Sequence, residues 1–321
     1  MKETQKGLII RAQSGFFTVH HAAGDIVCRL RGKLKKGRAT EDVAAVGDRV
    51  HFSDSGDGTG AIEAVEPRLK ALSRLSSGVH YAYRQILLAN PDQVMLVFAC
   101  ARPEPHLRLL DRFLVVLEKQ AIPVVIVANK VDLVGEDKAR QMFATYEKLG
   151  YHLIYTSAHQ QVGIDKLKKQ LAGKITAITG PSGVGKSSLL NVVQPQLGLK
   201  VRAVSEVTNK GMHTTQVREL FPLEGQGFVA DMPGLRTLAL WDIEAEELDG
   251  YFREMAPLVS QCQFSDCSHQ HEPGCAILAA VENGQIDRER HLSYLRMRFG
   301  DAQGWGAEEA RNFEDMPEDE D

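Results

Sequence analysis

A chain of 321 residues, 43% of them apolar, suits two or three domains and can bury a core in each. No stretch approaches the ~18 consecutive apolar residues of a membrane helix, and Met1–Lys6 lacks the apolar run of a secretory signal. Both features argue against a membrane-bound or secreted protein, and a cytoplasmic one is expected. The net charge of -4 hides an asymmetry: residues 301–321 hold nine acidic side chains against Arg311, so this tail carries -8 and residues 1–300 carry +4. A terminal block of like charge with few apolar residues predicts a disordered tail.

Residues 7–66 read as short strands, Gly7–Ile10, Phe16–His20, Ile26–Leu30, Arg49–Phe52 and Ala61–Val65, with Gly-rich turns between them. Such spacing predicts a small β-barrel, and its size fits a five-stranded OB-type barrel, a fold that commonly binds nucleic acid. Within this region Arg29, Arg31, Lys33, Lys35, Lys36 and Arg38 form a basic strip, which is either a solvated face or a phosphate contact. Residues 67–90 read as a linker with sheet-edge material. From Gln93 the pattern changes: apolar runs at Gln93–Cys100 and Pro123–Ala128 alternate with a helical segment at His106–Gln120. Strands alternating with helices predict a parallel α/β sheet, continuing to about Leu240. Residues 241–300 read as mainly helical, interrupted by a cysteine and histidine cluster. The predicted division is therefore 1–66 barrel, 67–240 α/β domain, 241–300 helical domain and 301–321 tail.

The strongest motif is Gly180-Pro181-Ser182-Gly183-Val184-Gly185-Lys186-Ser187-Ser188, between an apolar strand at Lys174–Thr179 and a helix at Ser188–Val193. Strand, Gly-rich loop and helix in that order predict a P-loop. Its backbone N–H groups and the helix N-terminus would face phosphates, Lys186 would reach the β- and γ-phosphates, and the Ser187 hydroxyl would ligate magnesium. Guanine specificity is predicted from Asn129-Lys130-Val131-Asp132, which ends a strand. The Asp132 carboxylate can accept from both the ring N–H and the amino group of guanine, a donor pair that adenine lacks. Asn129 would hold the loop, and the Lys130 stem would lie over the base. After the strand Tyr151–Tyr155, Thr156-Ser157-Ala158 would supply a backbone N–H to the guanine oxygen. Asp231-Met232-Pro233-Gly234 follows a strand at Gly227–Ala230. Asp231 would hold magnesium through water, and the Gly234 N–H would approach the γ-phosphate. Gly211-Met212-His213-Thr214-Thr215 offers the switch hydroxyl that closes over magnesium, with Thr215 preferred to Thr214.

No Gln follows Asp231–Gly234 to orient the attacking water; that position is Leu235. His213 is then the nearest catalytic candidate, its other reading being a partner-contact or structural residue. Gly183 gives the P-loop no side-chain ligand for a monovalent cation at that position. Cys262, Cys267, His269 and Cys275 offer three thiolates and an imidazole, a set suited to one structural, tetrahedral zinc, with His271 competing with His269. Cys28 and Cys100 stand apart in apolar surroundings and read as inert core thiols.

The guanine motifs at Asn129 and Ser157 precede the P-loop, the reverse of the usual order. With a barrel before them and the cysteine cluster after them, this order resembles the ribosome small-subunit-dependent GTPase A family of bacteria, whose motif order is circularly permuted. The resemblance covers roughly residues 7–300 and is carried by Val46-Gly47-Asp48, Gly180–Leu190, His213-Thr214-Thr215 and Cys262–Cys275. It implies a GTP-hydrolysing, monomeric factor acting late in small-subunit maturation, binding rRNA and stimulated by that subunit. It also favours His269 as the fourth zinc ligand. Two departures are visible: Lys210-Gly211-Met212 replaces the family's Arg-Gly-Arg before His213, and Met232 replaces Thr in Asp-Thr-Pro-Gly. A GTPase of another RNA process, such as tRNA modification or translation, and a GTP-gated RNA-binding module with negligible turnover are the competing readings.

Overall fold

The computed structural model describes residues 4–35, 40–75, 83–198, 218–231 and 243–300. Strands β1 (Gln5–Gln13), β2 (Phe16–His21), β3 (Gly24–Leu30), β4 (Arg49–Asp54) and β5 (Thr59–Val65) form the N-terminal sheet in the order β1-β2-β3-β5-β4. Antiparallel pairing of Gln5–Leu8 with Arg49–Phe52 closes it into a barrel. Strand alternation turns Ile9, Phe17, Val19, Ile26, Cys28, Val50, Phe52 and Ile62 inward, all buried. Closure removes most free edges, which is what keeps so small a sheet from pairing elsewhere.

Val46-Gly47-Asp48 joins the barrel to the rest of the chain. Gly47 has φ +91°, and a Cβ there would lie 2.0 Å from the Ala89 carbonyl oxygen, so only glycine fits the approach. Asp48 is fully buried; it accepts from the Ala45 N–H and, through both oxygens, from the Arg68 guanidinium at 2.8 Å. Residues between barrel and α/β sheet form a separate antiparallel pair, β6 (Ala71–Leu75) with β7 (Arg84–Ala89).

The second large sheet has the order β10-β9-β8-β11-β14-β13. Its strands are β8 (Gln93–Ala99), β9 (Val124–Asn129), β10 (His152–Tyr155), β11 (Ile175–Thr179), β14 (Phe228–Asp231) and a short antiparallel edge, β13 (Phe221–Pro222). The others pair in parallel, and β8, β9 and β11 are buried at every residue, as expected of strands covered on both faces. Helices α1 (Leu107–Lys119) and α2 (Glu136–Lys148) pack on one face through Leu110, Phe113, Leu114 and Phe143. Helices α3 (Ile164–Leu171) and α4 (Lys186–Val193) cover the other through Leu167, Leu171, Leu189 and Leu190. The chain runs outward from β8 to β10, then returns to β11 and proceeds to β14. The order reverses between β8 and β11, the position at which doubly wound sheets bind ligands.

One short strand crosses between the two sheets. β12 (Arg218–Glu219) pairs antiparallel with Arg11–Ala12 of β1, and the Leu220 N–H donates to the Ile10 carbonyl at 2.7 Å. The barrel is thus hydrogen-bonded to the segment that enters β13.

The C-terminal region contains 3-10 turns at Ala245–Tyr251 and Val259–Gln261 and helices α5 (Ala276–Glu282) and α6 (Arg288–Phe299). Its core is Leu248, Phe252, Met255, Ile277, Ala280, Ile286 and Tyr294, joined by Val115 of α1. Helix α1 is consequently apolar on two sides, one for the sheet and one for this region. Leu295 of α6 packs against this core, but the buried positions of the helix are Arg290, His291, Ser293 and Tyr294, and Phe299 is exposed. The physical reason is an ion cluster that lets a cation occupy the interface. Arg290 donates to Asp111 of α1 (2.6 Å) and to both oxygens of Glu254 (2.7 and 3.2 Å), and the Tyr146 hydroxyl completes Asp111 at 2.7 Å. Burial opposes the charge on Arg290, but the two carboxylates more than compensate and raise its pKa.

Candidate functional site

The loop after β11 sits at the reversal point of the sheet. Gly180 has φ +147°, and a Cβ there would meet the Val97 carbonyl oxygen of β8 at 2.0 Å. The backbone therefore passes across the end of the neighbouring strand, and Gly183 and Gly185 complete the loop with positive φ. Lys186 begins α4, and its Nζ donates to the Gly180 and Pro181 carbonyls at 2.8 and 2.9 Å. The amine lies inside the ring of the loop it belongs to. Ser187 and Ser188 follow in the first helical turn, half-buried. A helix N-terminus under a glycine-rich loop with a lysine folded into it is a phosphate cradle.

The guanine-type motif comes to the same place from the other side. Asn129 ends β9 and is 1% exposed. Its Nδ2 donates to the Val184 carbonyl at 2.8 Å, and its Oδ1 accepts from the Thr156 hydroxyl at 3.1 Å. One side chain thus ties together three loops that lie far apart in sequence. The fit is close: a Cβ on Gly185 would stand 2.5 Å from Asn129 Nδ2. Lys130 takes a left-handed conformation, and its Nζ donates to the Gly183 carbonyl at 2.6 Å and to the Arg102 carbonyl. Burial pulls the Lys130 amine below its ordinary pKa, with Asp132 opposing. Asp132 follows on the 3-10 turn Val131–Leu133, partly exposed, and that turn is held by the Val131 N–H on the Thr156 carbonyl at 3.1 Å. Ser157 is buried; its N–H donates to Val162 and its Oγ accepts from Gln160. Ala158 is the partly exposed residue of that pair.

Asp231 ends β14, and its backbone pairs in register with Ile178, two residues before the cradle. His213, Thr214, Thr215 and Gly234 lie outside the described residues. The bond from the Thr156 hydroxyl to Asn129 and the Arg102 carbonyl that accepts from Lys130 are parts of the site that sequence reasoning did not assign. Thr156 was legible as the residue before Ser157; nothing in the sequence marks a main-chain carbonyl.

The cysteine and histidine cluster assembles. Ligand atoms of Cys262, Cys267, His269 and Cys275 all lie within 4.8 Å of one another, and all but Cys262 are buried. His269 Nδ1 is 3.6 Å from Cys262 Sγ and 3.4 Å from Cys275 Sγ, and the two sulfurs are 4.0 Å apart. A tetrahedral shell with ordinary zinc–sulfur and zinc–nitrogen bonds has edges of about 3.6–3.8 Å. The donor set and its dimensions fit a zinc ion. His271 is exposed and outside the cluster. Glu272 braces the loop, accepting from the Ser268, Gln270 and His271 N–H groups and the Ser268 hydroxyl. Burial opposes ionisation of Glu272, yet these bonds hold its carboxyl well below the usual range. Cys28 and Cys100 are buried, and burial pushes both thiols up to about 11, which makes them inert near neutral pH.

The basic strip is less free than its sequence implies. Arg31 and Lys33 both pair with Glu63, at 2.8 and 3.6 Å, and the Arg29 guanidinium lies 4.2 Å from the centre of the Phe16 ring. Lys36 and Arg38 lie outside the described residues. Among the described residues, no helix is long and apolar enough to cross a membrane.

A phosphate cradle after β11 and a guanine-type loop after β9, joined by Asn129 although their order along the chain is reversed, define a circularly permuted P-loop GTPase, an enzyme that hydrolyses GTP. Known proteins agree. The model of the RsgA GTPase matches residues 65–241, that of the RsgA N-terminal domain matches residues 6–62, and the chain belongs to this family. It is 42% identical over 301 residues to the "Small ribosomal subunit biogenesis GTPase RsgA" of Gemmatimonas aurantiaca, covering 93% of this chain and 98% of the relative. The protein of the same name from Moorella thermoacetica is 42% identical over 290 residues, covering 90% and 95%. Among solved structures, YjeQ from Thermotoga maritima superposes with a TM-score of 0.75 at 38% identity, covering 92% of this chain and 98% of that one. YloQ, described as a circularly permuted GTPase, superposes with a TM-score of 0.72 at 31% identity, covering 92% and 94%.

Proposed function

We propose that this protein is a cytoplasmic, monomeric maturation factor of the small ribosomal subunit, that it binds the subunit's rRNA, and that the subunit stimulates its GTP hydrolysis. The observation that carries the nucleotide half is the Asn129 clamp: Val184 and Thr156 bind one buried side chain, so base and phosphates are read by one rigid unit. The partner half rests on the names of the relatives, which span nearly the whole chain. The domains we assign are residues 1–66, 67–240 and 241–300, with residues 301–321 as an acidic tail.

In this reading Asp132 takes the two guanine donors, the Lys130 stem flanks the base, and Ala158 offers its N–H to the guanine oxygen because Ser157 donates its own to Val162. Gly180–Ser188 cradle the phosphates. Lys186 leaves the Gly180 and Pro181 carbonyls for the β- and γ-phosphate oxygens, where it stabilises charge on the transferring group. Ser187 and Thr215 would ligate magnesium, Asp231 would hold it through water, and the Gly234 N–H would meet the γ-phosphate, the metal supplying charge to the phosphate oxygens. Water attacks the γ-phosphorus, the bond to the β–γ bridging oxygen breaks, and GDP and phosphate leave. Leu235 cannot orient that water, so His213 is assigned the task, and turnover without the partner is slow. One structural zinc per chain is held by Cys262, Cys267, His269 and Cys275.

The test is single-turnover GTP hydrolysis with and without saturating purified small subunits, alongside co-sedimentation with GTP, GDP and a non-hydrolysable analogue. Stimulation of at least tenfold by small subunits, and none by tRNA, is expected. Equal rates with and without subunits would refute the partner assignment. No hydrolysis under any condition would favour a GTP-gated binding module.

A further inference from the structure

The zinc-type cluster has an outer partner that ligand spacing does not reveal. His269 is fully buried and turns Nδ1 toward the thiols, so Nε2 points away from them. Nε2 lies 2.9 Å from Asp249 Oδ2, a buried carboxylate twenty residues upstream on the turn Ala245–Tyr251. The backbone of His269 is pinned as well: its φ is +59°, and its carbonyl accepts from His291 Nε2 at 2.8 Å. Tyr294 packs against its ring, with centroids 5.7 Å apart. The imidazole therefore has one orientation available to it, and the carboxylate selects the tautomer that carries hydrogen on Nε2 and a lone pair on Nδ1.

We propose that Asp249 is the positioning residue of the metal site, fixing His269 for coordination through Nδ1. The proposal rests on the reading of Cys262, Cys267, His269 and Cys275 as zinc ligands. A carboxylate on the distal nitrogen of a ligating histidine raises the basicity of the ligand and holds its ring, and losing such a partner costs about 10–100-fold in metal affinity. The turn that carries Asp249 is also seated on the nucleotide domain. Its Glu247 pairs with Lys119 at the end of α1, and its Leu248 packs in the core that Val115 of α1 enters. Asp249 is thus part of the interface between the two domains, and a metal bound at the cluster would hold that interface in place through His269 and Asp249.

The experiment uses the full chain. Zinc affinity is measured by competition with a chromophoric chelator for the wild type, Asp249→Asn, His269→Cys and the double variant, and each is also loaded with cobalt to record its thiolate charge-transfer and ligand-field bands. Asp249→Asn is isosteric, and the cobalt bands report whether its four ligands still assemble. The expected result is a loss of at least tenfold in zinc affinity for Asp249→Asn in the wild-type background, and less than twofold in the His269→Cys background, where no imidazole remains to be oriented. Unchanged affinity in the first background, or an equal loss in both, overturns the proposal, since a merely structural carboxylate acts alike with either fourth ligand. Should His269→Cys fail to assemble, Asp249→Asn with intact cobalt bands and unchanged affinity overturns it alone. A wild type that binds neither metal overturns the zinc reading itself, a result separable from all of these.

Discussion

Replacing Arg290 by methionine removes the guanidinium but keeps a stem of similar length, which isolates the charge in the joint between α6 and α1. The side chains of Arg290, Asp111 and Glu254 are 3%, 4% and 5% exposed, so water cannot take the place of the lost cation. Among the described residues Asp111 would keep the Tyr146 hydroxyl alone as a hydrogen-bond donor, and Glu254 would lose both bonds from Arg290. Removing one member of a buried pair costs about 3–5 kcal/mol, because the remaining charge stays desolvated. Two carboxylates share this cation, which places the expected loss toward the upper end. Hydrogen exchange read by mass spectrometry on residues 107–119 and 288–299 is the assay. A loss of 3–5 kcal/mol corresponds to about 10²- to 5 × 10³-fold less protection of the slowest amides, and peptides of the barrel should keep theirs.

A loss below about 1 kcal/mol, or equal loosening of barrel and α1, would refute the view that this ion cluster fastens the zinc-type region to the nucleotide domain.

Asp132→Asn should weaken GTP binding and improve binding of xanthosine triphosphate, whose base presents an acceptor where guanine has its amino donor; competition between the two nucleotides in a filter-binding assay checks it. Lys186→Ala and Ser187→Ala should each abolish subunit-stimulated hydrolysis, as measured by phosphate release, while circular dichroism stays at the wild-type value, since both side chains are partly exposed. Chelation of the metal should unfold residues 243–300 and also loosen α1, because Val115 lies in that core; exchange that changes only beyond residue 243 would contradict this.

Much of the architecture was legible. Alternating strands in 7–66 and continuous apolar runs after residue 93 reflect one-sided and two-sided burial, and burial is what periodicity reports. The P-loop, Asn129–Asp132 and the cysteine cluster were legible because their chemistry demands fixed residue types at fixed spacing. What escaped the sequence was every contact made between distant segments. Nothing in the sequence marks Arg290 as a buried cation, because its two counter-charges, Asp111 and Glu254, lie 179 and 36 residues away. Asp249 carries no mark, since outer-shell carboxylates have no spacing rule. A hydrophobicity pattern does not find the buried face of α6, because Arg290 and His291, both satisfied by partners from elsewhere, take positions that such a pattern reserves for leucine.

The barrel is the remaining case, and here separation in sequence misleads. Its basic strip is more than 170 residues from the switch motif at His213–Thr215, which argues that the barrel adds affinity without sensing the nucleotide. Yet Arg218–Glu219 pair alongside β1, Leu220 is buried and bonded to Ile10, and the His20 ring meets Phe228 at 5.6 Å, edge to face. Phe228 opens the strand that ends at Asp231. The barrel therefore touches the strand after one switch motif and the strand before the other. Thr215 is three residues from Arg218, so the chain allows about 11 Å at most between their Cα atoms. If the γ-phosphate orders the threonine and glycine segments, the seam at Ile10–Leu220 is strained or relaxed with nucleotide state, and linkage requires a barrel-bound partner to prefer one state by the same factor. Two variants separate the strip from the seam. Arg29→Glu, on the outer face of β3, should weaken subunit binding with GTP analogue and GDP alike and flatten its salt dependence. Leu220→Ala removes buried side chain at the seam. It should bring the ratio of the two affinities toward one, from a wild-type preference for the analogue of at least ~1 kcal/mol, about fivefold. Co-sedimentation of each variant with each nucleotide across a salt series measures both. A ratio preserved in Leu220→Ala, with faster exchange at the Leu220 amide showing that the seam has loosened, would leave the barrel as an anchor only.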